Sequence, residues 1–193
     1  GDGDVTGLVA GGSQPSPHRP EGAAVSHRLN ESLETPMSYT LDPELAPALA
    51  ALAEHAAEAA RPARGHWQAV RAAASARLAY MASITPASSG VVTTSFATAT
   101  SDGHGEIGLR WYTTADAMPG PAVIYSHGGG MLAGSVDLYH EVVSWYVAET
   151  RVPFLSVELR LAPEAPSPTS LAEDVFSGLT WLAGHAADLG VDP

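Results

Sequence analysis

The groups best placed for chemistry in this chain are backbone amides. Ser126-His127-Gly128-Gly129-Gly130-Met131 follows directly on the apolar stretch Ala122-Val123-Ile124-Tyr125. A strand that runs straight into three glycines brings bare N–H groups to the carboxyl edge of a sheet. Glycine permits both the unusual dihedrals and the close approach of a ligand at that point. In open α/β sheets, ligands bind outside that edge. Amides converging there stabilise negative charge as it develops on an oxygen. His127, immediately ahead of the glycines, reads either as a base or as a residue that holds the loop. Further on, Glu158-Leu159-Arg160-Leu161-Ala162-Pro163-Glu164 presents a rigid guanidinium fork, with Glu164 or Asp174 as its partner. A mere surface pair there would contribute under about 1 kcal/mol.

The elements that must position these groups follow from periodicity. The expected domains are a flexible tail over 1–36, helices over 37–88 and an α/β core over 89–193. Residues 1–36 are rich in Gly, Pro, Ser, Glu and His and show no period. Met37 as the natural start, with 1–36 as added or upstream sequence, stands beside a genuine tail. Asp42 caps a helix that carries Leu45, Leu49 and Leu52 and ends near Arg61-Pro62. A second helix runs from about Gly65 to Met81, with Trp67, Val70, Leu78 and Met81 as its apolar members.

From Gly90 the period changes to two, giving a strand, a turn at Ser101–Gly105 and a second strand over Gly105–Thr113. Ala122–Tyr125 is the third strand. Val136–Glu149 is a helix, and Val152–Val157 is a fourth strand whose continuous apolar run suits burial on both faces. Thr169–Ala187 is the last helix, with Leu171, Val175, Leu179 and Leu182 on its buried side. A helix between the third and fourth strands makes them a parallel pair joined by a right-handed crossover. A sheet edge left open after Gly190-Val191-Asp192-Pro193 would expose apolar surface and unpaired backbone.

Composition narrows the class without naming a reaction. The chain has 193 residues, 45% hydrophobic, and a formal net charge of −12. That acidity leaves no basic stripe to displace counterions, which argues against nucleic acid as a partner. All nine cationic residues are Arg. With no cysteine there is no disulfide framework and no thiolate nucleophile. His18, His27, His55, His66, His104, His140 and His185 lack metal-ligand spacing. No apolar run is long enough for a membrane span, and the first residues lack signal-peptide character. Cytoplasmic location is the default, with secretion left open.

Taken in order, the glycine loop, the Val-Pro-Phe-Leu-Ser-Val strand, Arg-Leu-Ala-Pro-Glu and a Trp-bearing helix resemble the bacterial hormone-sensitive-lipase-like serine esterases of the α/β-hydrolase fold. The resemblance covers roughly Leu41–Pro193. It implies an α/β-hydrolase fold, a mostly parallel sheet with an N-terminal helical cap, truncated before the nucleophile strand. It also implies hydrolysis of short to medium acyl esters through an acyl-enzyme, with no cofactor and no metal. Gly128 and Gly129 become oxyanion-hole donors and Gly130 the residue that opens the turn. Each donor contributes roughly 3–4 kcal/mol, judged from side-chain donors deleted elsewhere. His127, Arg160 and Glu164 become structural supports, and Met131, Leu132 and Tyr39 line the substrate pocket. Two departures stand out: Glu158-Leu159 replaces the family's usual Asp-Tyr, and Ala165-Pro166-Ser167-Pro168 replaces His-Pro-Phe-Pro.

The triad is absent from the chain. Gly134-Ser135, Ser88-Ser89-Gly90 and Ser177-Gly178 all fail the Gly-x-Ser-x-Gly spacing, and in this fold acid and histidine follow the serine. Triad members act as a unit, so the chain alone is expected to be inactive. The expected partners are a small ester and the C-terminal half of the same hydrolase, as a second chain or a missing segment. Homo-oligomerisation stays open. The alternative function is a ligand-binding member of the fold that lacks catalysis.

Overall fold

The computed structural model describes residues 42–57, 62–63 and 65–192. The expectations for 1–36, Met37 and Tyr39 lie outside the described residues. The chain divides into two compact units, Gly1–Ala48 and Leu49–Pro193. Helix α1 spans Ala46–Ala57. Asp42 caps the turn ahead of it, its Oδ1 accepting the Glu44 amide at 2.8 Å.

Within the second unit, helix α2 (Trp67–Ile84) precedes strands β1 (Val91–Ala99), β2 (Glu106–Thr114) and β3 (Val123–Ser126). Helix α3 (His140–Thr150), strand β4 (Phe154–Val157), helix α4 (Ser170–Gly184) and the short α5 (Ala186–Leu189) complete it. The described sheet has the order β1-β2-β4-β3. Its β1–β2 and β2–β4 pairs are antiparallel, and β3–β4 is parallel with Val123 opposite Phe154 and Ser126 opposite Val157. One ladder of the three is therefore parallel. The crossover through α3 is the element that makes it so.

The period-two pattern of the strands sorts side chains onto two layers. Leu109, Trp111, Leu155 and Val157 face α4 and pack with Leu182. Tyr112 and Phe154 face the opposite way, against Val143 and Val147 of α3. Both faces of β4 are thus covered, and all four of its residues are buried.

Two expectations need correction. Helix α3 begins at His140, not Val136, because Ser135 organises a separate turn: its Oγ accepts the Leu138 amide and its carbonyl the Tyr139 amide. The final helix stops at Gly184, and its buried face consists of Ser170, Asp174, Ser177, Gly178 and Leu182. Leu179 is exposed, and Leu171 and Val175 are only half-buried. The reason is close approach: a Cβ on Gly178 would lie 2.6 Å from Val157 Cγ2, so only glycine brings α4 this near β4. None of the α2 side chains is buried, and Val70 and Met81 are exposed.

Among the described residues β3 pairs on one side only, with β4. Beyond α5, Val191 makes an isolated parallel bridge to Gly120, and the Asp192 amide donates to the Gly120 carbonyl at 2.8 Å. No helix among the described residues is long and apolar enough to cross a membrane.

Candidate active site

The glycine loop leaves the carboxyl end of β3 and is held almost entirely through its carbonyls. His127 Nδ1 lies 2.9 Å from the Gly128 oxygen. A carbonyl only accepts, so the proton sits on Nδ1. The Gly129 oxygen accepts the amides of Leu132 and Ala133 at 3.2 and 3.1 Å. The Met131 oxygen accepts the Ala162 amide at 2.9 Å, and the Leu132 oxygen accepts Arg71 Nε at 2.7 Å. The amides of Gly128, Gly129, Gly130 and Met131, by contrast, have no acceptor among the described residues.

Backbone dihedrals explain why the loop needs glycine. Gly129 has φ +130°, and a Cβ there would run into the Ala133 carbonyl group. The turn continues through Gly130 and Met131, both at φ +62°. A cavity of about 400 Å³ opens beside these amides, lined by His127 to Met131 and closed on its apolar side by Leu159, Leu161, Leu171 and Val175. A second cavity of about 350 Å³ shares Met131 and Leu171 and is otherwise walled by Ala162 to Pro168. Leu132, expected to line the pocket, is not among the residues facing either cavity. It contributes its carbonyl to Arg71 instead.

His127 is buried, stacked against Tyr139 at a centroid distance of 5.7 Å. Its Nε2 has no hydrogen-bond partner, and the nearest charge is Glu158 Oε1 at 3.9 Å. Glu158 in turn takes the Val136 amide on its other oxygen at 3.0 Å, which ties the strand-end glutamate to the segment after the loop. The ring thus faces backbone and a carboxylate, away from any serine among the described residues within hydrogen-bonding reach.

Arg160 pairs with Asp174, one of the two partners open to it from sequence, and not with Glu164. Its amide and Nε donate to the two Asp174 oxygens at 2.8 and 2.7 Å. The remaining nitrogens reach Asp102 in the β1–β2 turn, with Nη2 to Oδ2 at 2.8 Å. Asp174 is fully buried and Arg160 partly buried, which separates this cluster from a solvated surface pair. Hydrogen bonding from Arg160 holds the Asp102 carboxyl well below the usual carboxylate range.

Glu164 binds Arg71 of α2, accepting Nη1 at 2.9 Å and Nη2 at 2.6 Å. That hydrogen bond pulls the Glu164 carboxyl below its ordinary range and raises the Arg71 guanidinium. Neither Arg71 nor Asp102 is marked by any local motif. Their partners lie far away along the chain, and only folding brings them together.

Over part of its length the chain is similar to known proteins. A family model described as alpha/beta hydrolase fold matches residues 123–193. Lipase 2 of Moraxella sp. (strain TA144) is 40% identical over 72 residues, covering 37% of this chain and 16% of that protein. Ethyl acetate hydrolase of Pseudomonas putida is 37% identical over 97 residues, covering 48% of this chain and 30% of that protein. Among solved structures, a bacterial heroin esterase superposes with a TM-score of 0.65 at 29% identity, covering 80% of this chain and 46% of the other. The chain therefore spans less than half the length of these relatives. It has the α/β-hydrolase fold and is similar, over the part compared, to the hormone-sensitive-lipase-like esterases and lipases.

Proposed function

We propose that this chain is the part of a serine carboxylic ester hydrolase that supplies the backbone half of the oxyanion hole, through the Gly128 and Gly129 amides. The observation that carries this reading is the polarity of the loop. The carbonyls of Gly128, Gly129, Met131 and Leu132 accept from His127, the loop's own turn, Ala162 and Arg71, while the amides of Gly128 to Met131 have no acceptor among the described residues and belong to a stretch that lines a cavity. A serine oxygen attacking an ester carbon pushes electrons onto the carbonyl oxygen, its proton passing to a histidine. The oxyanion then accepts the waiting N–H groups. Collapse expels the alcohol, which takes that proton, and water releases the acyl group by the same route. Donors that meet the oxygen only once it is charged lower the barrier without tightening substrate binding.

Serine, acid and histidine belong in this reading to a C-terminal part outside the chain, continuing it or present as a second polypeptide. The open side of β3 and the exposed Trp145 and Phe176 on the two flanking helices support such a neighbour. His127, Arg160 and Glu164 act as supports: the first on the loop itself, the second on the β4–α4 connection, the third through Arg71. Helix α2 forms part of a cap. Short to medium acyl esters are the substrate class, in keeping with the cavity volume and with a relative named for ethyl acetate.

The test uses p-nitrophenyl acetate and butyrate. The chain alone should show no turnover above buffer, and the chain combined with its C-terminal part should hydrolyse both. Saturable ester binding by the combined protein without turnover would instead make it a ligand-binding member of the fold.

A further inference from the structure

We propose that Arg71 is a positioning residue that couples helix α2 to the glycine loop and so sets where the Gly128 and Gly129 amides point. One guanidinium joins three pieces of chain. Its Nε donates to the Leu132 carbonyl at 2.7 Å, and its Nη2 to the Ala162 carbonyl at 2.6 Å. Its two terminal nitrogens also grip the Glu164 carboxylate, and its plane lies 4.7 Å from the Trp67 ring centroid one turn earlier on α2. The Ala162 amide closes the circuit by donating to the Met131 carbonyl. Residues 132, 162 and 164 are thus fixed to one another through a single side chain, and Met131 joins them through the Ala162 amide.

Two features make this more than a surface pair. Helix α2 buries none of its own side chains, so apolar packing does little to register it against the core. Among the described residues, the loop it reaches is tied to the rest of the chain through the Met131 and Leu132 carbonyls, and the neighbouring amides move with whatever holds those carbonyls. A planar fork with donors at fixed angles can serve two carbonyls and a carboxylate together, whereas an ammonium on a flexible stem cannot. The catalytic consequence rests on the oxyanion reading above, but the coupling itself does not.

The experiment is therefore read first without substrate. In the 15N-labelled chain, Arg71→Ala should shift the amide resonances of Gly128, Gly129 and Gly130 together with the Trp67 indole. Arg151→Ala, which breaks the exposed Arg151–Asp116 pair, should leave those loop resonances in place. Arg71→Lys keeps a charge opposite Glu164 and covers the case in which Arg71→Ala does not fold. It should move the loop resonances by a smaller amount in the same direction. In the protein combined with its C-terminal part, Arg71→Ala should lower kcat roughly 10- to 100-fold with KM little changed, as a misplacement of the donors predicts. A Trp67 shift without any loop shift, in whichever variant folds, would overturn the coupling. Loop shifts with kcat unchanged would keep the coupling and sink the oxyanion reading instead.

Discussion

Substituting Gly129 by alanine tests the loop where its geometry is tightest. At φ +130° a side chain is strained by about 1–3 kcal/mol before any contact is considered. The new Cβ would also overlap the Ala133 carbonyl oxygen and stand 2.5 Å from its carbon, where about 3.5 Å is comfortable. The loop must therefore open by at least about 1 Å, and Gly129 is the residue whose carbonyl holds the Leu132 and Ala133 amides. A 1 Å misplacement costs about 100-fold, and loss of one donor costs about 100- to 1000-fold, or 2.7–4 kcal/mol. The expected result is a fall of that size in kcat for p-nitrophenyl butyrate, with KM nearly unchanged. The assay uses the chain combined with its C-terminal part, with urea unfolding run in parallel to confirm that the variant folds. Gly130→Ala is the control: its Cβ would enter open space at φ +62°, a strain of about 1–2 kcal/mol without displacement. It should stay within about 10-fold of wild type. If a folded Gly129→Ala turns over normally, or Gly130→Ala is the more damaged of the two, the loop does not work as described.

Two further outcomes follow from the supports. Arg160→Ala strands the Asp174 carboxylate, which is fully buried, and should destabilise the fold by about 3–5 kcal/mol in urea titrations. A loss under about 1 kcal/mol would mark the pair as no more than a surface contact. Glu164 has its folded pKa lowered by Arg71, so its contribution is present above the unfolded carboxylate range near 4.3 and is lost as pH falls through the folded value. The gap in urea midpoint between wild type and Glu164→Gln should be open at pH 7 and close below about pH 4. A gap that widens on acidification would have the wrong sign for an Arg71-paired carboxylate.

How much of this was legible in the sequence depends on the range of each interaction. The four strands follow from local period and composition, because alternation and apolar runs are properties of neighbouring residues. Three consecutive glycines at a strand end already mark a site of exposed amides. Which carbonyls hold that loop is not local information: Arg71 and Leu132 are 61 positions apart, and Arg71 and Glu164 are 93 apart. The same holds for Asp102, which a turn motif identifies only as a turn residue until Arg160 arrives from 58 positions away. Helix α4 misled for a related reason. Its apolar row Leu171-Val175-Leu179 has helical spacing, but so does Ser170-Asp174-Ser177, and the second row is buried because Arg160 neutralises Asp174 and Gly178 admits β4.

In the proposed mechanism the Gly128 and Gly129 amides donate to a carbonyl oxygen as it becomes charged. The most direct measurement titrates the 15N-labelled chain, combined with its C-terminal part, with a trifluoromethyl ketone that forms a tetrahedral adduct. Large downfield shifts of the Gly128 and Gly129 amide protons are expected, with little change at Gly108, which lies in a strand. An adduct that forms while both loop resonances stay where they were would contradict it.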